Sequence, residues 1–197
     1  MGKSRLEAFS DGVLAIIITI MVLELRTPEG SSWHDLREVV PTFLTYLLSF
    51  VYVGIYWNNH HHLLQLVSKV NGTVLWANLH LLFWLSLLPF TTSWMDDTGF
   101  DPVPTGVYGI DLLAAAAAYW LLQRTLIRGQ GPAGPLASAI GADRKGKLSP
   151  VAYLAGIIAS FWVPYVGVAL YAAVALLWLV PDRRVERFVT EHGASEG

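Results

Sequence analysis

The sequence predicts an all-α membrane protein with six transmembrane helices per subunit, and three observations carry that prediction. Of 197 residues, 54% are hydrophobic and 14% charged, with a mean hydropathy of +0.47. A soluble domain carries roughly 25% charged residues. The deficit is also patterned: from Val39 to Met95 only Lys69 is an Asp, Glu, Lys or Arg, and from Leu148 to Pro181 there is none. A soluble fold of this length has too little interior to hide so many apolar side chains. Finally, the apolar runs have spanning length, since about 20 residues cross the roughly 30 Å hydrocarbon layer.

The first run covers about residues 7–25 and stops at Arg26-Thr27-Pro28-Glu29-Gly30, a turn-rich segment. It follows Arg5, Glu7 and Asp11, and no small-residue cleavage site comes after it, so it reads as a retained span rather than a signal peptide. The second covers 39–67 and is long enough to project beyond the membrane. The third, 73–95, is closed by Asp96-Asp97-Thr98-Gly99-Phe100-Asp101-Pro102. The fourth, 103–127, contains Asp111 and the helix-favouring run Ala114 to Ala118. Residues 148–180 would make one helix roughly 50 Å long. Pro164 lies in the middle of that stretch and removes a backbone donor, so two spans, 149–162 and 164–180, fit better. Pro41 and Pro89 interrupt two of the other runs, and the Gly/Pro-rich linker 129–147 is expected to be flexible.

Charge asymmetry supports that count, because cytoplasmic loops are enriched in Lys and Arg. Six spans with both termini inside place Lys3, Arg5, Lys69, Arg124, Arg128, Arg144, Lys145, Lys147, Arg183, Arg184 and Arg187 on the inner side. Only Arg26 and Arg37 lie outside, 11 cations against 2; five spans would give 8 against 5. The reading is a multi-pass protein of the cell membrane, a bacterial inner membrane. Cysteine is absent, which excludes disulfides, thiolate metal sites and cysteine nucleophiles. The net charge of −2 and the lack of a basic, aromatic-interleaved stripe give no sign of a nucleic-acid partner.

Charged groups inside a span cost several kcal/mol unless paired or hydrated, which makes them functional candidates. In the first span Ile16, Ile20 and Leu23 fall within about 60° of one another at 100° per residue and form one apolar stripe, while Asp11 points away from it. Two readings of the stripe remain: it faces lipid or packed helices, with Arg5, Glu7 and Asp11 at headgroup level, or it faces something functional. A second cluster is Trp57-Asn58-Asn59-His60-His61-His62, and a third is Trp76-Ala77-Asn78-Leu79-His80. His60, His61, His62 and His80 are candidate zinc ligands of a membrane metal-binding protein or enzyme. Consecutive helical residues diverge by about 100°, however, so interhelical hydrogen bonds are the alternative role. Thr105-Gly106-Val107-Tyr108-Gly109 has its glycines out of order for a carbonyl-loop ion filter and reads as the first turns of a helix. A secondary transporter is a further alternative, weakened by the lack of a matching pair of broken spans.

The pattern Arg5-xxx-Phe9-Ser10-Asp11-Gly12-Val13-x-Ala15-Ile16-xx-Thr19 closely resembles the signature of the transmembrane protein 175 family of potassium channels, here a bacterial member. Tyr56-Trp57-xx-His60-His61, Trp76-x-Asn78 and Pro89-Phe90-Thr91 extend the likeness over about the first 95 residues. Spans four to six resemble the family only in number and length. The resemblance implies a homotetramer of six-span subunits around a central pore, with no carbonyl-loop filter, no enzymatic activity and no cofactor. Its partners would be further copies of itself, membrane lipid and potassium as permeant ion. It also implies a constriction of Ile16, Ile20 and Leu23 with the Thr19 hydroxyl beside it, and no resident metal. Arg5, Phe9, Ser10 and Asp11, facing Trp57, His60, His61, Trp76 and Asn78, would form a polar network pinning the first span. Outer Asp96, Asp97 and Asp101 would concentrate cations.

Overall fold

A computed structural model describes residues 2–67, 70–130 and 144–179, and among these the chain is all helix and turn. The elements are α1 (Lys3–Leu23), α2 (Trp33–Glu38), α3 (Val40–Gln65), α4 (Gly72–Asp97), α5 (Pro102–Gln130), α6 (Arg144–Ser160) and α7 (Pro164–Leu179). Four of them, α1, α3, α4 and α5, are long and apolar enough to cross a membrane. The last two have 17 and 16 residues.

Each long helix follows an apolar run, and the break at Phe161-Trp162-Val163 falls where Pro164 demands it. Pro164 then opens α7, where a first-turn position has no intrahelical donor to lose. The other prolines behave differently from the sequence expectation. Pro41 sits in the first turn of α3 and interrupts nothing. Pro89 lies inside a continuous α4, as does Pro150 inside α6. Membrane helices tolerate an internal proline because neighbouring groups re-satisfy the freed backbone.

Two further differences concern connections. The Gly/Pro-rich linker 129–147 is shorter than predicted, because α5 continues to Gln130 and α6 begins at Arg144; its centre, 131–143, lies outside the described residues, as do Lys69 and Arg183, Arg184 and Arg187. Gln130 Nε2 donates to the Leu66 carbonyl and ties the end of α5 to the end of α3, while Ser149 Oγ donates back to the Lys145 carbonyl within α6. The short helix α2 was not expected. Its signal is a capping box, with Ser32 accepting from the Asp35 N–H and the Asp35 carboxylate accepting from the Ser32 N–H at 2.8 Å.

In packing, α1 lies on α3 and α4, α4 on α5, and α5 on α6 and α7, while α3 also meets α7. The centre is aromatic. Tyr52, Tyr108 and Tyr171 are fully buried, and Tyr52 donates to the Tyr171 carbonyl at 2.6 Å. Small residues let the helices approach: a Cβ on Gly167 would stand 2.2 Å from Ser160 Oγ and 2.9 Å from the Gly156 carbonyl oxygen. Polar residues within the spans pair across helices. Ser49 Oγ lies 2.7 Å from Thr92 Oγ1 and 3.0 Å from Tyr108 Oη, and Thr91 donates to Asp111 at 3.0 Å. Thr105-Gly106-Val107-Tyr108-Gly109 lies within α5, so its carbonyls serve the helix rather than an ion.

A candidate pore-lining helix and its polar anchor

The two faces of α1 differ in what covers them. Leu6, Ser10, Leu14, Ile17 and Met21 are buried against the neighbouring helices. On the opposite side Ile16, Ile20 and Leu23 are 58%, 43% and 83% exposed in the single subunit, with Phe9 and Thr19 also exposed. Thr19 Oγ1 donates to the Ile16 carbonyl at 2.8 Å, which leaves its oxygen lone pairs on the open face. Among the described residues, no helix of the same subunit covers the stripe.

The buried face is fastened by a directed chain of hydrogen bonds. His60 Nε2 of α3 donates to Asn78 Oδ1 of α4 at 2.7 Å, Asn78 Nδ2 donates to Ser10 Oγ at 3.0 Å, and Ser10 donates to the Leu6 carbonyl at 2.9 Å. His60, Asn78 and Ser10 are all buried, Asn78 and Ser10 completely. Each donor and acceptor has one partner in sequence, so the amide of Asn78 orients the whole chain.

A second tie lies beside it. Trp57 Nε1 donates to Asp11 Oδ1 at 3.0 Å, and the Trp57 ring stacks on His61, with centroids 6.2 Å apart. His61 Nε2 in turn accepts from Gln65 Nε2 at 2.8 Å. At the same end Lys3 Nζ approaches Glu7 and reaches the Gln65 carbonyl. The structure thus brings together Ser10, Asp11, Trp57, His60, His61 and Asn78. Arg5 is exposed and has no partner within the subunit among the described residues, Phe9 is half exposed, and Trp76 is 75% exposed. Those three do not join the network inside one subunit; the donor to Asp11 is an indole, not the guanidinium.

Among the described residues His60, His61, His62 and His80 do not form a group of closely spaced ligand atoms. His60 is committed to Asn78 and His61 to Gln65, while His80 Nε2 accepts from Trp84 Nε1 at 3.0 Å. Among the described residues, the one group with closely spaced potential ligand atoms is His34, Asp35 and Glu38 of α2, which includes none of those histidines. The two acids that end α4 are also engaged: Arg26 pairs with Asp97, and Asp96 accepts from Thr42 at 2.7 Å. These contacts staple the α1–α2 segment and α3 to the end of α4, a role the sequence reading missed.

Comparison with known proteins places this architecture. A potassium channel of Chryseobacterium sp. (strain P1-3) is 55% identical over 192 residues, covering 98% of this chain and all of that one. The profile described as "Endosomal/lysosomal potassium channel TMEM175" matches residues 5–89, which span α1, α3 and most of α4. The chain belongs to the TMEM175 family. Family membership makes it an ion-channel protein of the membrane rather than an enzyme. The crystal structure of a lysosomal potassium-selective channel TMEM175 homolog from Chamaesiphon minutus superposes with a TM-score of 0.78 at 26% identity, covering 90% of this chain and 96% of that one. The endosomal/lysosomal proton channel TMEM175 of Mus musculus is 33% identical over 109 residues, which is 53% of this chain but 21% of that protein. The match therefore extends over about a fifth of the mouse channel's length.

Proposed function

We propose that this chain is the subunit of a potassium channel in which four copies of α1 surround a central pore. The observation that carries the proposal is the asymmetry of α1, an open stripe of Ile16, Ile20 and Leu23 opposite a face locked to α3 and α4. In a lone subunit lipid tails would cover that stripe, whereas a fourfold ring would turn it onto a common axis. The four long helices and the shorter α6 and α7 would each cross the membrane, with both termini on the cytoplasmic side of a bacterial inner membrane, as the 11-to-2 cation asymmetry favours.

The mechanism follows from the stripe's chemistry. A ring of Ile and Leu side chains offers no oxygen ligands, so a narrow ring resists wetting and closes by dewetting. A permeating cation must shed part of its hydration shell there. Potassium holds its water less tightly than sodium, so the barrier favours potassium, and the Thr19 lone pairs lower the cost beside the ring. No cofactor takes part; the permeant ion is the cargo.

The test is flux in liposomes carrying a K⁺ gradient, repeated with Na⁺, for the wild type, Ile16→Asn and Leu23→Ala. Each substitution wets or widens the ring and lowers the barrier; about 1.4 kcal/mol would raise flux about tenfold. Both variants are expected to leak more and to lose K⁺/Na⁺ discrimination. Unchanged flux and selectivity in both would refute the pore assignment.

A further inference from the structure

A cavity of about 280 Å³ lies away from α1, where the C-terminal halves of α3 and α5 meet the start of α6 and the end of α7. Tyr52, Tyr56, Ala117, Trp120, Tyr153 and Trp178 form much of its wall. Trp120 and Ala117 are exposed at the bundle surface, so the cavity opens alongside α5. Its walls are dominated by aromatic and aliphatic groups, and the Trp178 indole is held in place by donating to Ser149 Oγ at 2.8 Å. An apolar cavity of about 150 Å³ stays dry and takes up benzene. This one is nearly twice that size and calls for an apolar occupant.

The rim carries the opposite chemistry. The Arg124 guanidinium lies 4.4 Å above the ring of Trp120, and Lys145 Nζ lies 6.0 Å from the ring of Trp178. Two cations therefore stand on two of the cavity's own aromatic walls. Stacking on a ring leaves the in-plane N–H groups of a guanidinium available for an anion, and Arg124 has no carboxylate partner among the described residues. An apolar slot edged by two cations matches a molecule with a hydrocarbon tail and a negative head. In a protein surrounded by bilayer, that molecule is a lipid, and basic pockets between membrane helices suit anionic headgroups.

We propose that each subunit binds one acyl chain of an anionic phospholipid in this cavity, with the phosphate of its headgroup against Arg124. The tail gives affinity through burial, and the Arg124 guanidinium gives preference for anionic over zwitterionic lipid. The site is independent of the α1 stripe and is tested without reference to conduction.

The experiment is native mass spectrometry of the full-length protein in detergent, titrated with phosphatidylglycerol or phosphatidylcholine. Variants Arg124→Gln, on the exposed rim, and Ala117→Trp, which blocks the mouth, are compared with the wild type. Elution volume and melting temperature check folding, and Arg124→Gln alone carries the test if Ala117→Trp misfolds. Phosphatidylglycerol is expected to be retained up to one per subunit and about tenfold more tightly than phosphatidylcholine, with the preference lost in Arg124→Gln and retention lost in Ala117→Trp. Equal retention of the two lipids by the wild type would overturn the proposal, as would an unchanged preference in Arg124→Gln.

Discussion

Replacing Asn78 by Leu tests what holds α1 in place. Leucine matches asparagine in branching and heavy-atom count but has bulkier methyl groups, so the substitution opens no void and adds a packing strain at this fully buried site that the double variant below shares. It deletes the 2.7 Å bond from His60 and the 3.0 Å bond to Ser10. Ser10 keeps its bond to the Leu6 carbonyl and loses only an accepted proton. His60, 3% exposed, is left with an orphaned ring N–H. An unsatisfied buried donor costs about 1–3 kcal/mol, and interhelical hydrogen bonds in membranes average about 0.6 kcal/mol. The sum is about 1.6–3.6 kcal/mol per subunit. Adding His60→Phe removes the orphan, and matched apolar replacement of both partners is close to neutral. The double variant is therefore expected to be more stable than Asn78→Leu alone by at least about 1 kcal/mol. Unfolding free energies in micelles for both singles and the double give the coupling directly. Additive losses, or an Asn78→Leu protein within about 0.5 kcal/mol of wild type, would show that the chain of bonds does not fasten α1.

Trp57→Phe removes the donor to Asp11 and keeps the ring on His61, so it is expected to lower the melting temperature, at a cost of about 1 kcal/mol for a half-exposed charge-assisted bond. Asp11→Asn retains an acceptor and should lose less; the reverse order would contradict the assigned pairing. Gly167→Ala forces a Cβ toward the Gly156 carbonyl oxygen and should cost about 1–3 kcal/mol. Gly54→Ala, where a Cβ meets nothing within 4 Å, should be neutral or slightly stabilising by helix propensity, and thermal unfolding of the pair checks both. On α2, hydrogen bonds from the Ser32 side chain and backbone hold the Asp35 carboxyl below its ordinary 3.8. The depressed folded value means that this cap contributes fully above about pH 4 and is lost as pH falls through the folded pKa. Ser32→Ala should move the Asp35 midpoint back up, as followed by carboxyl-carbon NMR; an unchanged midpoint would refute the capping assignment.

What the sequence made legible was whatever the bilayer dictates. The starts and ends of α1, α3, α4 and α5 follow apolar runs because hydrocarbon thickness sets their length, and the α6–α7 break follows Pro164 because the backbone requires it. The stripe of α1 was readable because 100° per residue fixes which side chains share a face. What stayed hidden depends on how helices rotate against one another. Nothing in the order of residues says that Asp11 meets Trp57 rather than Arg5, or that Ser49 meets both Thr92 and Tyr108. The stapling roles of Asp96 and Asp97 were hidden for the same reason, since their partners lie 54 and 71 residues away. Even α2 had a local signal, Ser32-x-x-Asp35, which a search for apolar runs passes over. The cavity beside Trp120 has no sequence signature, because a void is made by four helices jointly.

The polar anchor answers a problem that apolar packing leaves open. Around α1 the two faces are about equally greasy: Ile17 and Met21 are buried, whereas Ile16 and Ile20 are exposed, and exchanging them would cost little in hydrophobic terms. Lipid tails are as apolar as leucine, so burial in a membrane does not choose between the two rotations. A turn of one residue, about 100°, would swing Ser10 away from Asn78 and strand donors in the bundle. The directional bonds near the N-terminal end therefore set the rotational phase. A continuous helix carries that phase along the roughly 20 Å from Ser10 to Leu23. On this reasoning the end of α1 proposed to line the pore and its fastened end are one rigid device. A variant that loosens Ser10–Asn78 should disturb the Ile16–Ile20–Leu23 stripe at a distance, broadening conductance levels before it changes the chemistry of the ring. Single-channel records of Asn78→Leu that keep one sharp, wild-type conductance while its stability falls would separate the two ends and refute the coupling.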